Sequence, residues 1–316
     1  MAFSSLHMLF AAAAALVPFG AGMHSNDPAA VPAPGETAET LDYGYNRTQR
    51  MTVPISIGGS GPFRFIIDTG SERTVLSREL AARLSLAEGR PVNVSSMTDV
   101  ARVSTAMVPA LRVGRRTIED IQAPLLWARN LGADGLLGVD SLESQRVDLD
   151  FRTNQITLTP SRRRGPTWDG ETITVTARSR LGRLILVDAS VDGERVWVIL
   201  DTGAQVSIGN NALRRRLESR RRLPPTRPLR LISVTGGTLD VDYTVTRKMV
   251  VAGIEIFDLP IGFGDAEPFR KLDLLDRPAM LLGMDALRLF QRVSLDFATR
   301  RVRLLLPPRS ARQARG

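Results

Sequence analysis

The sequence has no cysteine, and its only two histidines, His7 and His24, lie in an N-terminal segment outside the expected folded body. The lack of cysteine excludes thiolate nucleophiles, thiolate metal ligands and disulfides. The rest of the chain therefore has no histidine for a Ser-His-Asp triad or for a histidine-rich metal site. We therefore expect no metal site, and any acid–base chemistry would fall to carboxylates.

Lysine and aromatic residues are also scarce. Lys248 and Lys271 are the only lysines, and neither lies in a phosphate-binding motif. Aromatic residues make up 5%, so a core must be built from Val, Leu and Ile. With 316 residues, 43% of them hydrophobic, the chain is long enough for two domains, each with its own core.

The net charge is +9, and nearly all of the basic residues are arginines, grouped at 162–164, 214–216, 220–222 and in a basic tail at 307–316. Such groups attract phosphate. No aromatic residues are interleaved with them and no nucleic-acid motif is present, so solvated surfaces are the favoured interpretation and no nucleic-acid partner is expected. Attraction to an anionic membrane surface or envelope polymer is a further alternative.

The N-terminus has the pattern of an export signal. Residues 8–21 form an apolar run of about 14 residues, typical of a signal-peptide core and short for a membrane span. We expect a signal peptide at 1–22 and export to the periplasm or the medium, although the segment before the run carries no Lys or Arg. An uncleaved anchor is the alternative. The Ala- and Pro-rich stretch 23–48 is expected to be a flexible linker.

The rest of the chain is a duplication. The segment FIIDTGSERTVLS, residues 65–77, is matched by VILDTGAQVSIG, residues 198–209. The aspartates Asp68 and Asp201 are 201 − 68 = 133 residues apart. A second motif, Leu-Leu-Gly, ends at Gly138 and again at Gly283. We expect an N-terminal lobe at 49–160, a linker at 161–170 and a C-terminal lobe at 171–306.

Each unit has the pattern of β-structure. Runs of alternating apolar residues are bounded by Gly and Pro, and Asp192-Gly193 is a strong two-residue hairpin signal. Short helices are expected at 77–84 and 210–218, after capping residues. The sequence therefore predicts an all-β protein of two similar lobes with short helices.

The repeated Asp-Thr-Gly tripeptide carries the predicted chemistry. The glycines Gly70 and Gly203 allow a close approach of the backbone, and Thr69 and Thr202 offer a hydroxyl and an N–H that brace the loop. A pseudo-twofold axis between the lobes would bring both aspartates face to face. Two such carboxylates share one proton, and one then acts as base and the other as acid.

These motifs resemble those of a retropepsin-like aspartic protease, in the bacterial form with two Asp-Thr-Gly units in one chain. The resemblance covers most of residues 50–306. It implies two closed-barrel lobes related by a pseudo-twofold axis, and peptide-bond hydrolysis by a water held between Asp68 and Asp201, without a cofactor. It also implies that Gly138 and Gly283 pack beside the Asp-Thr-Gly loops. The substrate would be an extended peptide, and the lobes would pair within one chain as a monomer.

The resemblance further implies a flap, a hairpin folded over the cleft. Its best candidate is the turn at Thr235, Gly236 and Gly237, for which an ordinary hairpin turn is the alternative. The matching stretch of the first unit, 97–102, has no glycine, which favours either a single working flap or a different placement of the flap.

The residues that follow the tripeptides differ: Ser71 in the first unit and Ala204 in the second. A serine hydroxyl that donates to a carboxylate favours its charged form, so we expect Asp68 to be the ionised member of the pair. The recurring acidic residues Asp140 and Asp285, like Asp150 and Asp296, are interpreted as turn or capping residues.

The favoured function is thus an exported aspartic endopeptidase. The alternative is a non-catalytic peptide- or envelope-binding protein that retains the fold, since a fold does not guarantee activity. A further possibility is a processing enzyme with few substrates. The presence of both aspartates favours catalysis.

Overall fold

The computed structural model describes residues 38–45, 50–161, 163, 165 and 167–308, and the predicted signal peptide and most of the basic tail lie outside them. Over the described residues the chain is all-β with short helices. None of the helices there has the length and apolar character needed to cross a membrane.

The first lobe is a closed barrel. Six strands pair in a ring, because β3 hydrogen-bonds to both β4 and β7. Every second residue of β3 points into the core, from Met51 to Ile57, which is the period expected of a strand with one buried face. The elements of this lobe are β2 Gly44–Tyr45, β3 Met51–Ile57, β4 Ser60–Ile67, β5 Val75–Ser77, α1 Arg78–Arg83, β6 Glu88–Ser95, β7 Val100–Val113, β8 Arg116–Leu126, α2 Ala128–Leu131, β9 Gly135–Leu137 and α3 Val139–Leu142.

The second lobe repeats this order, but several of its strands are interrupted. The chain therefore forms an eight-stranded and a four-stranded sheet instead of one continuous ring. The predicted hairpin at Asp192-Gly193 joins two of these strands, with both residues at positive φ. The elements are β13 Arg178–Arg180, β14 Arg183–Leu186, β15 Ala189–Val191, β16 Glu194–Arg195, β17 Trp197–Leu200, β18 Ile208–Gly209, α4 Asn211–Ser219, β19 Arg227–Ile232, β20 Thr238–Val245, β21 Lys248–Val251, β22 Ile254–Phe257, β23 Pro260–Phe263, α5 Glu267–Lys271, β24 Ala279–Leu282 and α6 Met284–Leu287.

Both helices predicted from capping signals are present. Helix α1 begins after Ser77, whose hydroxyl accepts a hydrogen bond from the N–H of Leu80 at 3.1 Å. Helix α4 begins after Asn210, whose side-chain oxygen accepts one from the N–H of Leu213 at 2.9 Å. Each cap satisfies an N–H group that the helix itself leaves without a partner.

A six-stranded antiparallel sheet joins the lobes. Its strands are β1 Glu39–Asp42, β10 Gln145–Asp150, β11 Gln155–Pro160, β12 Thr172–Thr176, β25 Arg292–Asp296 and β26 Arg301–Leu305. The lobes meet where β10 pairs with β25, and the two strands contribute Val147, Leu149, Val293 and Leu295 to the core. Residues 39–42 lie within the predicted linker 23–48 but form strand β1, because their backbone groups pair with β11.

Candidate active site

Each Asp-Thr-Gly loop follows a buried strand that pairs with the strand leading to a Leu-Leu-Gly motif. Asp68 follows β4, which runs parallel to β9, and Asp201 follows β17, which runs parallel to β24. The N–H of Asp68 donates to Leu137 O at 3.0 Å, and that of Asp201 donates to Leu282 O at 3.1 Å. This pairing fixes the direction in which each loop leaves its strand.

The two loops are bound to each other through their threonines. The hydroxyl of Thr69 donates to Leu200 O at 3.0 Å and accepts from the N–H of Thr202 at 3.1 Å. In return, the hydroxyl of Thr202 donates to Ile67 O at 2.7 Å and accepts from the N–H of Thr69 at 3.1 Å. Both threonines are buried, so no water competes for these groups. The four hydrogen bonds place the aspartates of the two lobes beside each other.

The glycines of the motif leave room for the carboxylate of the opposite lobe. A Cβ atom built on Gly70 would lie 2.5 Å from Cγ of Asp201, and one built on Gly203 would collide with the carboxylate of Asp68. Each carboxylate therefore lies against the backbone of the other loop. The structure thus brings Asp68 and Asp201 to one centre, as the sequence predicts.

Burial raises the pKa of both aspartates. The pKa of Asp68 rises to about 7, through burial first and the charge of Asp201 second. The pKa of Asp201 is also raised by burial, while Arg183 and the N–H groups of Gly203 and Ala204 act against the rise. Two carboxyls so placed hold one shared proton near neutral pH.

The hydrogen bonds around the pair favour the Asp201 anion over the Asp68 anion, in contrast to the expectation drawn from Ser71. The hydroxyl of Ser71 donates to Arg73 O at 2.8 Å and so does not stabilise the Asp68 anion. Oδ1 of Asp201 accepts two backbone hydrogen bonds, from Gly203 at 2.9 Å and Ala204 at 3.1 Å. Oδ1 of Asp68 accepts one, from Gly70 at 2.9 Å.

Two buried arginines beside the pair were missed by the sequence reasoning. Arg183 is 4% exposed and donates through Nε to Gly70 O at 2.8 Å. Arg50 is 7% exposed and donates to Leu131 O. Both favour the ionised aspartates electrostatically, and burial lowers the pKa of Arg50 against that attraction. Their spacing, 183 − 50 = 133 residues, equals that of the aspartates and is the signal that would have found them.

Gly138 and Gly283 lie beside the loops. The N–H of Val139, next to Gly138, donates to Ser71 O at 2.8 Å, and the N–H of Met284, next to Gly283, donates to Ala204 O at 2.9 Å. These contacts hold each Leu-Leu-Gly segment against the corresponding Asp-Thr-Gly loop.

The acidic residues that follow the Leu-Leu-Gly motifs brace the same loops. The carboxylate of Asp140 accepts from the N–H and hydroxyl of Thr74 at 2.9 and 2.8 Å. The carboxylate of Asp285 accepts from the N–H and hydroxyl of Ser207 at 2.9 and 2.7 Å. Asp150 and Asp296 accept backbone N–H bonds within turns. All four contacts fit the structural roles expected from the sequence.

Both lobes carry a hairpin whose tip reaches the other lobe, so the lack of glycine at 97–102 does not remove the first-lobe hairpin. The second-lobe hairpin, β19–β20, turns at 233–237, with Gly236 at φ +94°, and contains the predicted Thr235-Gly236-Gly237. The first-lobe hairpin, β6–β7, turns without glycine at 96–99. There the hydroxyl of Ser96 donates to the carboxylate of Asp99 at 2.7 Å, and side-chain bonds replace the conformational freedom of glycine.

The fold and the site together define a class of protein. It is a duplicated β protein in which each repeat contributes one aspartate to a shared, buried centre. A family model described as aspartyl protease matches residues 53–141 and again 187–286, together more than half of the chain. The chain belongs to this aspartyl protease family. No curated protein matches the chain. Within the described part of the chain, no group of three or more Asp, Glu, His or Cys side chains converges as metal ligands would.

Proposed function

We propose that the protein is an aspartic endopeptidase that cleaves peptide bonds with a water activated between Asp68 and Asp201. The observation that carries the proposal is the arrangement of the two aspartates. Their carboxyls come from equivalent loops, touch each other's backbone glycines, and have pKa values raised by burial. Such a pair supplies a base and an acid at the same pH.

The proposed reaction assigns a role to each member of the pair. Asp201, ionised because it accepts two backbone hydrogen bonds, takes a proton from water as the water oxygen bonds to the peptide carbonyl carbon. Asp68 donates its proton to the carbonyl oxygen. In the second step Asp201 gives its proton to the amide nitrogen, the C–N bond breaks, and a hydroxyl of the intermediate returns a proton to Asp68.

The proposal includes an extended peptide as the substrate, held beneath the two hairpins that reach across the lobes. A peptide in this conformation adds to exposed hairpin edges through its backbone and presents alternate side chains to either wall of the cleft.

The proposal also includes export of the protein to the periplasm or the medium. Cell fractionation with an antibody against the folded chain tests that part independently.

The test is digestion of casein and of a peptide library by the full chain and three variants. D68N and D201N are expected to lose hydrolysis, because neither can share the proton. D258N alters an exposed aspartate and serves as the control. Pepstatin sensitivity is a secondary check.

The outcomes separate the candidate functions. Hydrolysis retained by D68N or D201N contradicts the mechanism. A wild type that binds peptides but cleaves none favours the non-catalytic binding protein.

A further inference from the structure

Two buried apolar clusters of similar construction lie beside the strands that lead to the two aspartates, and we call them the first and the second wall. The first wall comprises Ile66, Val75, Val103, Leu126, Leu131 and Leu136. The second wall includes Ile199, Ile208, Phe269, Leu272 and Leu281. Ile66 and Ile199 each precede an aspartate by two residues. Because side chains alternate along a strand, each lies on the same face as its aspartate.

The tip of each hairpin crosses over to the wall of the other lobe. Met97, from the first-lobe hairpin, packs against the second wall. Val234, from the second-lobe hairpin, packs against the first wall. The backbone follows the same crossing, since the N–H of Glu267, at the start of α5, donates to Met97 O at 2.9 Å.

Polar groups hold the two tips together between these apolar contacts. The hydroxyl of Thr98 donates to the hydroxyl of Ser233 at 3.1 Å, and the hydroxyl of Thr235 donates to the carboxylate of Asp99 at 3.1 Å. Gly237 lies so close to Thr98 that a Cβ atom there would collide with its hydroxyl. Cross-lobe hydrogen bonds and apolar packing therefore stabilise the same closed arrangement.

We propose that Met97 and Val234 are tethered occupants of the two walls and compete with the substrate for them, which makes the closed hairpins an autoinhibitory contact. The inference rests on the proposed function for the identity of the competitor, a peptide with aliphatic side chains on both sides of the cleaved bond. One apolar surface cannot pack against both the tip and a substrate side chain. Substrate binding must therefore offset the loss of the tip contacts, and the apparent affinity falls with the fraction of closed molecules.

The first experiment locks the tips. Since the chain has no cysteine, T98C/S233C introduces one pair, at positions whose side-chain oxygens lie 3.1 Å apart. The probe is a fluorescein-labelled octapeptide with methionine and valine at its centre, and binding is measured by anisotropy in the D68N background so that cleavage does not interfere. The oxidised form is expected to lose at least about tenfold in affinity, and reduction is expected to restore it. Equal binding by both forms overturns the proposal.

The second experiment removes the tip side chains from the walls without introducing a disulfide. M97A/V234A is expected to bind the octapeptide about tenfold more tightly, which is the effect of removing roughly one buried apolar contact. V100A, at an exposed residue of the same hairpin, is the control and should bind as the parent does. Weaker or unchanged binding by M97A/V234A overturns the proposal, as does a failure of every variant to bind, because the emptied walls are then no peptide site.

Hydrolysis is then measured with the same variants carrying the native Asp68, which separates this inference from the proposed function. If nothing is hydrolysed while the binding results hold, the proposed reaction fails and the autoinhibitory contact stands. If peptides are hydrolysed while M97A/V234A leaves both KM and octapeptide affinity unchanged, the autoinhibitory contact fails alone.

Discussion

Arg50 and Arg183 occupy the same position in the two lobes, and both guanidinium groups are buried within electrostatic reach of the aspartate pair. Their surroundings differ in one respect. Arg183 lies 3.6 Å from Glu72 of the first lobe, whereas the residue 133 positions after Glu72 is Gln205. The duplicated centre therefore keeps both arginines, while Glu72 has no acidic counterpart at the equivalent position of the second lobe.

The arginines are expected to set the pH range of hydrolysis. A nearby cation favours the ionised carboxylate, so its removal raises both pKa values of the pair. R183Q should shift both limbs of the kcat/KM profile to higher pH by about half a unit to one unit. In the wild type the alkaline limb is expected near pH 7, where the shared proton is lost.

R183K keeps the charge and is the matched control for R183Q, and R50Q tests the equivalent position. A purely structural role for Arg183 predicts lower activity with both limbs at their original pH. That result in R183Q would contradict the electrostatic assignment.

Asp68 is expected to make the folded state less stable as the pH rises. Its pKa is raised to about 7 on folding, so the folded state keeps a proton that the unfolded chain releases near pH 4. The contribution is complete below about pH 4, is lost between about pH 4 and 7, and is constant above that range. Urea denaturation at pH 4.5 and 7.5 should show a loss of roughly 2–4 kcal/mol in the unfolding free energy.

The D68N variant isolates this effect because asparagine does not titrate. Its unfolding free energy should vary with pH less than that of the wild type over the same interval. An equal pH dependence in both proteins would assign the effect to other groups, of which Asp201 and Asp285 come first, since burial raises the pKa of both.

The threonine network should contribute to stability through both of its halves. T69V keeps the shape of the side chain but leaves Leu200 O and the N–H of Thr202 without the hydroxyl that both use. Two buried polar groups without partners predict a loss of about 2–4 kcal/mol in the unfolding free energy, measured by urea denaturation.

T69S retains the hydroxyl and should recover most of that loss, and T202V should cost a similar amount. Because the four hydrogen bonds form one unit, the double variant T69V/T202V should lose less than the sum of the single losses. Strict additivity would show that the two halves act independently.

The central pair was predictable because its signal is local and repeated: the same tripeptide follows an apolar strand twice. Arg50 and Arg183 share the spacing of 133 residues but lie outside any tripeptide, so only a residue-by-residue comparison of the repeats reveals them. The role of the first-lobe hairpin stayed open because Ser96 and Asp99 form its turn with side-chain bonds in place of glycine.

Contacts between distant segments were beyond the sequence. The segments 147–158 and 293–304 have the pattern of hairpins, but the sequence does not predict that β10 pairs with β25 across the lobes. Nothing in a hairpin's own residues specifies the partner of its outer edge. Likewise, the sequence does not decide which acceptor the hydroxyl of Ser71 takes, and the backbone path of the loop brings Arg73 O to it.

The two Leu-Leu-Gly glycines are expected to differ in their tolerance of alanine. At Gly138 a Cβ atom would lie 2.8 Å from the backbone N of Arg73 and nearer still to its carbonyl group, whereas at Gly283 the nearest atoms, of Val206, are 3.0 Å away. Both glycines have φ near −90°, so the expected cost is steric and not conformational. G138A should therefore lose about 1–3 kcal/mol in the unfolding free energy, and G283A distinctly less.

The same steric difference should also affect the position of the aspartate pair. Residue Arg73 follows the first Asp-Thr-Gly loop, and its carbonyl accepts the hydroxyl of Ser71, so a displaced Arg73 moves the loop that holds Asp68. We expect G138A to lower kcat more than G283A does when both are assayed well below their denaturation midpoints. Equal effects of the two variants on stability and on kcat would show that the close approach at Gly138 is relieved by a shift that leaves the loop in place.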